Sequence, residues 1–179
     1  MAHAPEPGEP DDAALVADAR RGERAAFGAL YRRHARLVQA VLLARVPPDS
    51  ADDLLQDVFL QAMDRISSLR DGGAFAGWIA TIARRRAADW RRRRRDTVEL
   101  TDDVPSDSHD PDRTEAEEAI AAIAALPEAY RETLMLRFVA GLDGPEIAAR
   151  TGLTHGSVRV NLHRGTALLR ERLGGSRHA

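Results

Sequence analysis

"GPEIAARTGLTHGSVRVNLHRG", residues 144–165, is the stretch from which the fold can be read. A short helix carries Ile147 and Ala148 inward, Gly152 permits a tight turn, and Leu153 fills the corner. Thr154 then stands where it can cap a second helix, which buries Val158 and Leu162 four residues apart. Two helices joined by a short glycine-containing turn form a helix-turn-helix, whose second helix starts in a DNA major groove. His155, Ser157, Arg159, Asn161, His163 and Arg164 lie off the buried stripe and supply donors suited to phosphates and base edges. An ordinary helical hairpin with a polar face is the plainer alternative.

Upstream, "LPEAYRETLMLRFVAG" at residues 126–141 reads as another helix. Pro127 and Glu128 favour its start, Tyr130, Leu134 and Phe138 share one stripe, and Gly141 ends it. Before it, residues 96–118 hold ten acids against one base, Arg113, with Pro105 and Pro111 and no apolar period. That composition predicts an exposed linker. The preceding run, "ARRRAADWRRRRR" at residues 83–95, carries eight arginines and one acid, Asp89. The two blocks nearly cancel, so the 179-residue chain has a net charge of only −2. Eight guanidinium groups on one helix repel one another unless something negative is near. Arg84, Arg91 and Arg95 share a face with Arg85 and Arg92 beside them, and phosphate is the fitting partner. A solvated helix end is the bland reading; Trp90 reads as packing.

Residues 24–45 show helical spacing through Phe27, Leu30, Tyr31, Leu37, Val38, Val41 and Leu42, and Pro47 and Pro48 stop that helix. Asp49 or Ser50 caps the next, with Leu54, Leu55, Val58, Ala62 and Ile66 inward and Asp53, Gln56, Asp57 and Gln61 on an acidic and amide face. That face is either simply solvated or a docking surface for a basic partner. Gly72 and Gly73 break the chain before a third helix buried through Phe75, Trp78, Ile79 and Ile82. No strand signal appears. The first dozen residues, with three prolines and four acids, predict a disordered tail.

There is no cysteine, which excludes disulfides and cysteine-based zinc sites. The histidines never form a metal-ligand spacing, and no nucleophile–base pair, phosphate-cradling loop or cofactor fingerprint occurs. The expectation is therefore no catalytic residue, no metal and no cofactor. With no signal peptide and no apolar stretch long enough to span a bilayer, a soluble, cytoplasmic protein without membrane insertion is expected. All 26 basic residues are arginine, a bias that a GC-rich genome would produce.

Three stretches together resemble a bacterial sigma factor of the extracytoplasmic-function (ECF) group: "DDLLQDVFLQAMDRI" (52–66), "FAGWIATIARRRAADWRRRRR" (75–95) and the segment 126–165. The resemblance implies an all-α chain of two small helical domains, a region 2 helical bundle and a region 4 helix-turn-helix, joined by an acidic flexible linker. The expected division is a tail at 1–12, region 2 at 13–95, linker at 96–114 and region 4 at 115–175. By resemblance, Asp53, Gln56, Asp57 and Gln61 dock on the polymerase β′ subunit. Ser67, Ser68, Leu69, Arg70 and Asp71 lie in the loop that captures a flipped base of the −10 element, and Arg84, Arg85, Arg91, Arg92 and Arg95 hold nearby phosphates. Thr154, His155, Gly156, Ser157, Arg159, Val160, Asn161, His163 and Arg164 fall where the −35 element is read. Implied partners are core RNA polymerase (β′ and β subunits), promoter DNA and an anti-sigma factor. The chain departs from the family's common residues at Arg85, Val160, Asn161 and Gly165. The alternative is a stand-alone helix-turn-helix repressor or activator, against which the lack of a dimerisation helix counts.

Overall fold

The computed structural model describes residues 10–98 and 114–176, which contain eight α-helices, two short helical turns and no strand. The all-α expectation holds. Most of the expected tail (1–9) and acidic linker (99–113) lies outside the described residues.

Helix α1 (Asp12–Arg20) is an addition to the sequence reading, which placed residues 11 and 12 in the tail. Asp11 caps it, its Oδ1 accepting the Ala14 N–H at 2.8 Å. So short a helix persists only by tertiary burial, and Leu15 and Val16 are both buried. Helix α2 (Arg24–Leu43) follows, then α3 (Pro48–Arg65). Helix α3 is not capped by Asp49 or Ser50. It starts at Pro48, with Pro47 extended before it; proline there has its φ preset and no N–H to satisfy. Asp49 lies in the first turn, where its charge favours the helix dipole. After short turns at Ile66–Ser68 and Gly72–Ala74, α4 (Phe75–Val98) runs unbroken through the arginines and takes in residues 96–98, assigned above to the linker. Leu30, Val38, Val41, Leu42, Phe75 and Ile79 are fully buried among these helices.

The second unit opens with α5 (Glu115–Ala124), starting at the expected boundary, and its first-turn acids are the end of the acidic run. Thr114 and Glu117 form a reciprocal cap: Glu117 Oε2 accepts the Thr114 N–H at 2.8 Å, and the Glu117 N–H donates to Thr114 Oγ1 at 3.3 Å. Helix α6 (Glu128–Phe138) is central, touching α5, α7, α8 and also α2 of the first unit. Leu134, Met135 and Leu136 are therefore all buried in succession, and the single-stripe expectation fails at Phe138, which is 56% exposed. Asp143 and Glu146 cap α7 (Gly144–Thr151) reciprocally, each bond 2.8 Å. Gly152 ends it in the left-handed region at φ 74°, a conformation costly for any residue with a Cβ. Helix α8 (His155–Ser176) completes the helix-turn-helix. Leu153 does not fill the corner; it is 38% exposed.

Glu132 ties the two units together. One carboxylate oxygen accepts from Arg45 Nη2 of α2 at 2.7 Å and the other from Arg84 Nε of α4 at 3.0 Å. Arg84 Nη2 also donates to the Arg150 carbonyl at 2.5 Å. All three side chains are about one-fifth to one-quarter exposed, so solvent screens this triad only partly.

Candidate nucleic-acid interface

Three surfaces collect the residues singled out by sequence. On α3, Asp53 and Gln56 are exposed and Asp57 and Gln61 half-buried. Helical spacing puts Leu60 amid this polar group, and it is 57% exposed, with Met63 at 49% beside it. The sequence reading passed over these two apolar residues; their position off the buried stripe was the available signal. Asp57 forms an ion pair with Arg86 of α4, beneath a cleft of about 220 Å³ lined by Ser50, Asp53, Asp57, Asp89 and Trp90. Arg86 Nε is buried there without a partner among the described residues.

The second surface is the loop between α3 and α4 together with the arginine helix. Ser67, Ser68, Arg70 and Asp71 are exposed. Leu69 is a correction to the candidate set: its side chain is 6% exposed and belongs to the core, so it offers a ligand only its backbone. Asp71 Oδ1 accepts the Gly73 N–H at 2.9 Å and Ser68 Oγ donates to the Arg65 carbonyl at 2.7 Å, which shapes the loop locally. Along α4 the arginines differ in how they are used. Arg84 is engaged by Glu132 and Arg150, Arg86 by Asp57, and Arg92 by Asp89 at 3.0 Å. Arg91 lies 3.8 Å from Glu128, and Arg94 sits over the Trp90 ring at 5.3 Å. Arg85 and Arg95 are exposed and make no ion pair among the described residues.

The third surface is the first half of α8. Thr154 Oγ1 accepts the Ser157 N–H at 3.1 Å and so caps the helix. His155, Gly156, Ser157, Arg159, His163 and Arg164 are exposed, as is Val160 at 45%. Asn161 is turned inward: its Nδ2 donates to the Ala129 carbonyl at 3.1 Å and to Thr133 Oγ1 at 3.4 Å, fastening α8 to α6. One turn on, Gly165 has no room for a side chain, since a Cβ would come within 2.9 Å of the buried Leu134 Cδ1. Among the described residues no cluster of His, Asp and Glu is placed to hold a metal, and no helix is long and apolar enough to cross a membrane.

Comparison with known proteins places this geometry. The family description "Sigma-70 region 2" matches residues 30–97 and "Sigma-70, region 4" matches residues 116–169. The chain is 34% identical over 165 residues to the RNA polymerase sigma factor CarQ of Myxococcus xanthus, covering 87% of this chain and 93% of CarQ. It is 31% identical over 166 residues to the ECF RNA polymerase sigma factor BldN of Streptomyces coelicolor, covering 87% of this chain and 63% of BldN. Among solved structures, CnrH (a Cupriavidus metallidurans sigma factor) in complex with the cytosolic domain of CnrY superposes with a TM-score of 0.65 at 28% identity, over 92% of this chain and 97% of CnrH. The chain belongs to the sigma-70 family of RNA polymerase sigma factors, in its extracytoplasmic-function group. It binds RNA polymerase and directs it to promoters; a stand-alone repressor is not favoured.

Proposed function

We propose that the three surfaces divide the work of initiation among them. The acidic face of α3, with Asp53, Gln56, Asp57 and Gln61 around the exposed Leu60, docks on a basic face of the polymerase β′ subunit. The loop at residues 67–71 takes a base out of the −10 element through Ser67, Ser68, Arg70 and Asp71. Unstacking a base costs a few kcal/mol, which its capture must offset. Arg85, Arg91, Arg92 and Arg95, with Arg84 once it leaves Glu132, hold the phosphates beside it. The first half of α8 enters the major groove of the −35 element through His155, Ser157, Arg159, His163 and Arg164, with Thr154, Gly156 and Val160 at its rim. Asn161 orients this helix from behind.

On this reading residues 13–95 form the polymerase-docking and −10 unit, 115–175 the −35 unit, and 96–114 the link between them. The protein acts in the cytoplasm as a regulatory subunit and not as an enzyme. An anti-sigma factor is the expected regulator; the similar sigma factor CnrH forms a complex with a protein partner, the cytosolic domain of CnrY.

The observation that carries this reading is the presence, on one described fold, of an acidic face, an exposed polar loop beside arginines, and a capped cationic recognition helix. Run-off transcription from fragmented genomic DNA, with bacterial core polymerase and this chain, tests it. Discrete transcripts are expected, reduced roughly tenfold or more when Asp53 and Asp57 are both changed to Lys, because like charges then face the partner. Transcripts that survive the double reversal would rule out this docking face.

A further inference from the structure

The loop at residues 67–71 is held from behind by α1, the helix that no local pattern announced. Gly72, at the loop's end, lies so close to α1 that a Cβ on it would stand 2.8 Å from Ala13 Cα, 3.2 Å from the Ala13 carbonyl oxygen and 3.3 Å from Val16 Cβ. The first two are backbone atoms, which cannot step aside as a side-chain end can. At the other end, Arg20 Nε donates to the Ile66 carbonyl at 3.2 Å. Helix α1 is itself anchored. Asp12 accepts from Arg33 Nη1 at 2.9 Å and meets His34 Nε2 at 2.8 Å, while Leu15 and Val16 are sealed in the core. The loop is thus fixed at both ends and through Leu69 in between, and its polar side chains remain exposed.

We propose that α1 is the positioning element of the −10 loop, with the Arg20–Ile66 hydrogen bond and the Gly72–Ala13 contact holding the loop in the shape that receives a base. This rests on the reading of that loop as the base-capture site. A loop ordered before it binds loses less conformational freedom on capture, so affinity for an unpaired strand is higher than for the same side chains on a slack segment. Neither Arg20 nor Gly72 needs to touch DNA for this.

The test uses the full chain in holoenzyme with core polymerase, on a promoter found by the run-off experiment, and a fluorescent single strand carrying its −10 element. Gly72→Ala and Arg20→Ala are each expected to weaken strand binding about five- to tenfold, the order of one lost hydrogen bond or close contact, while Arg20→Lys restores it. Affinity for core polymerase and for a −35 duplex stays at the unaltered level, and the thermal midpoint of Arg20→Ala falls by no more than about a few degrees, as the loss of one hydrogen bond at a largely exposed side chain allows. The salt slope of strand binding also stays constant. Unchanged strand binding in both variants overturns the proposal, as does a parallel loss of all three affinities. A salt slope lower by about one in Arg20→Ala, with Gly72→Ala normal, would instead make Arg20 a direct phosphate contact. If the unaltered holoenzyme shows no preference for the −10 strand, the underlying reading of the loop fails, and that is seen before any variant is made.

Discussion

The arginine row of α4 and the cationic half of α8 look alike in sequence and differ in the fold. Helix α4 has the greater number of arginines, yet Arg84, Arg86, Arg91 and Arg92 each face an acid of this same chain. On α8, His155, Arg159, His163 and Arg164 are exposed and no acid is paired with them among the described residues. A cation already neutralised within the protein releases fewer counterions when it meets a phosphate, because it must first give up its partner. Counting arginines therefore overstates the reach of α4 and understates that of α8.

The largest expected effect follows on α8. Changing Arg159 and Arg164 together to Ala should lower duplex affinity roughly tenfold or more and reduce the salt slope by about two. The same double change at Arg91 and Arg92 on α4 should do about half as much. Anisotropy titrations over a salt series measure both, and equal losses would break the contrast. A smaller effect, of opposite sign, is expected at Glu132. Glu132→Gln frees Arg45 and Arg84 and should raise non-specific duplex binding by the free chain about threefold. No rise would mean that the pairing does not compete with DNA.

The smallest effect concerns pH and leaves both cationic surfaces alone. Burial pushes the Asp12 carboxyl up, but the hydrogen bonds and charges of His34 and Arg33 together outweigh it and hold the group below its ordinary 3.8. A depressed folded value means the stabilisation is present above 3.8 and is lost as pH falls through that lower value. Asp12→Asn should therefore lower stability at neutral pH and flatten its decline in acid. Chemical denaturation followed by circular dichroism, from neutral pH into the range below 3.8, checks this. A decline as steep as that of the unaltered chain would count against it.

What could be read from the sequence was what repeats locally. Helices α2, α3 and α4 and the helix-turn-helix follow from apolar spacing, prolines and glycines whose consequences lie within a few residues. Helix α5 was legible only in part: the expected boundary at 114/115 coincides with its start and Thr114 and Glu117 stand at capping-box spacing, but its first-turn acids also continue the acidic run and hide its helical pattern. Helix α1 carries only Leu15 and Val16 into the core, too few for a periodic signal. The four consecutive buried residues of α6, Thr133 to Leu136, reflect contact with α2 on top of α5, α7 and α8, and the pairing of Arg84 and Arg45 with Glu132 spans 48 and 87 residues. No local pattern encodes such distances. The same holds for Asn161, whose partners lie 32 and 28 residues away, so it read as a groove residue when its amide is bonded to α6.

The reach of Arg20 to Ile66, 46 residues further along, has a consequence for how the chain is made. Helix α1 is the first of the described helices to leave the ribosome, yet its docking surface includes a loop synthesised only after two more of them. Until then Leu15 and Val16 have no complete core to enter, and a short helix without one is marginal. Long-range contacts of this kind slow folding, because chain closure comes before its reward. In each newly made molecule, the firm seating of α1 and the shaping of the loop beside it are thus a single late event.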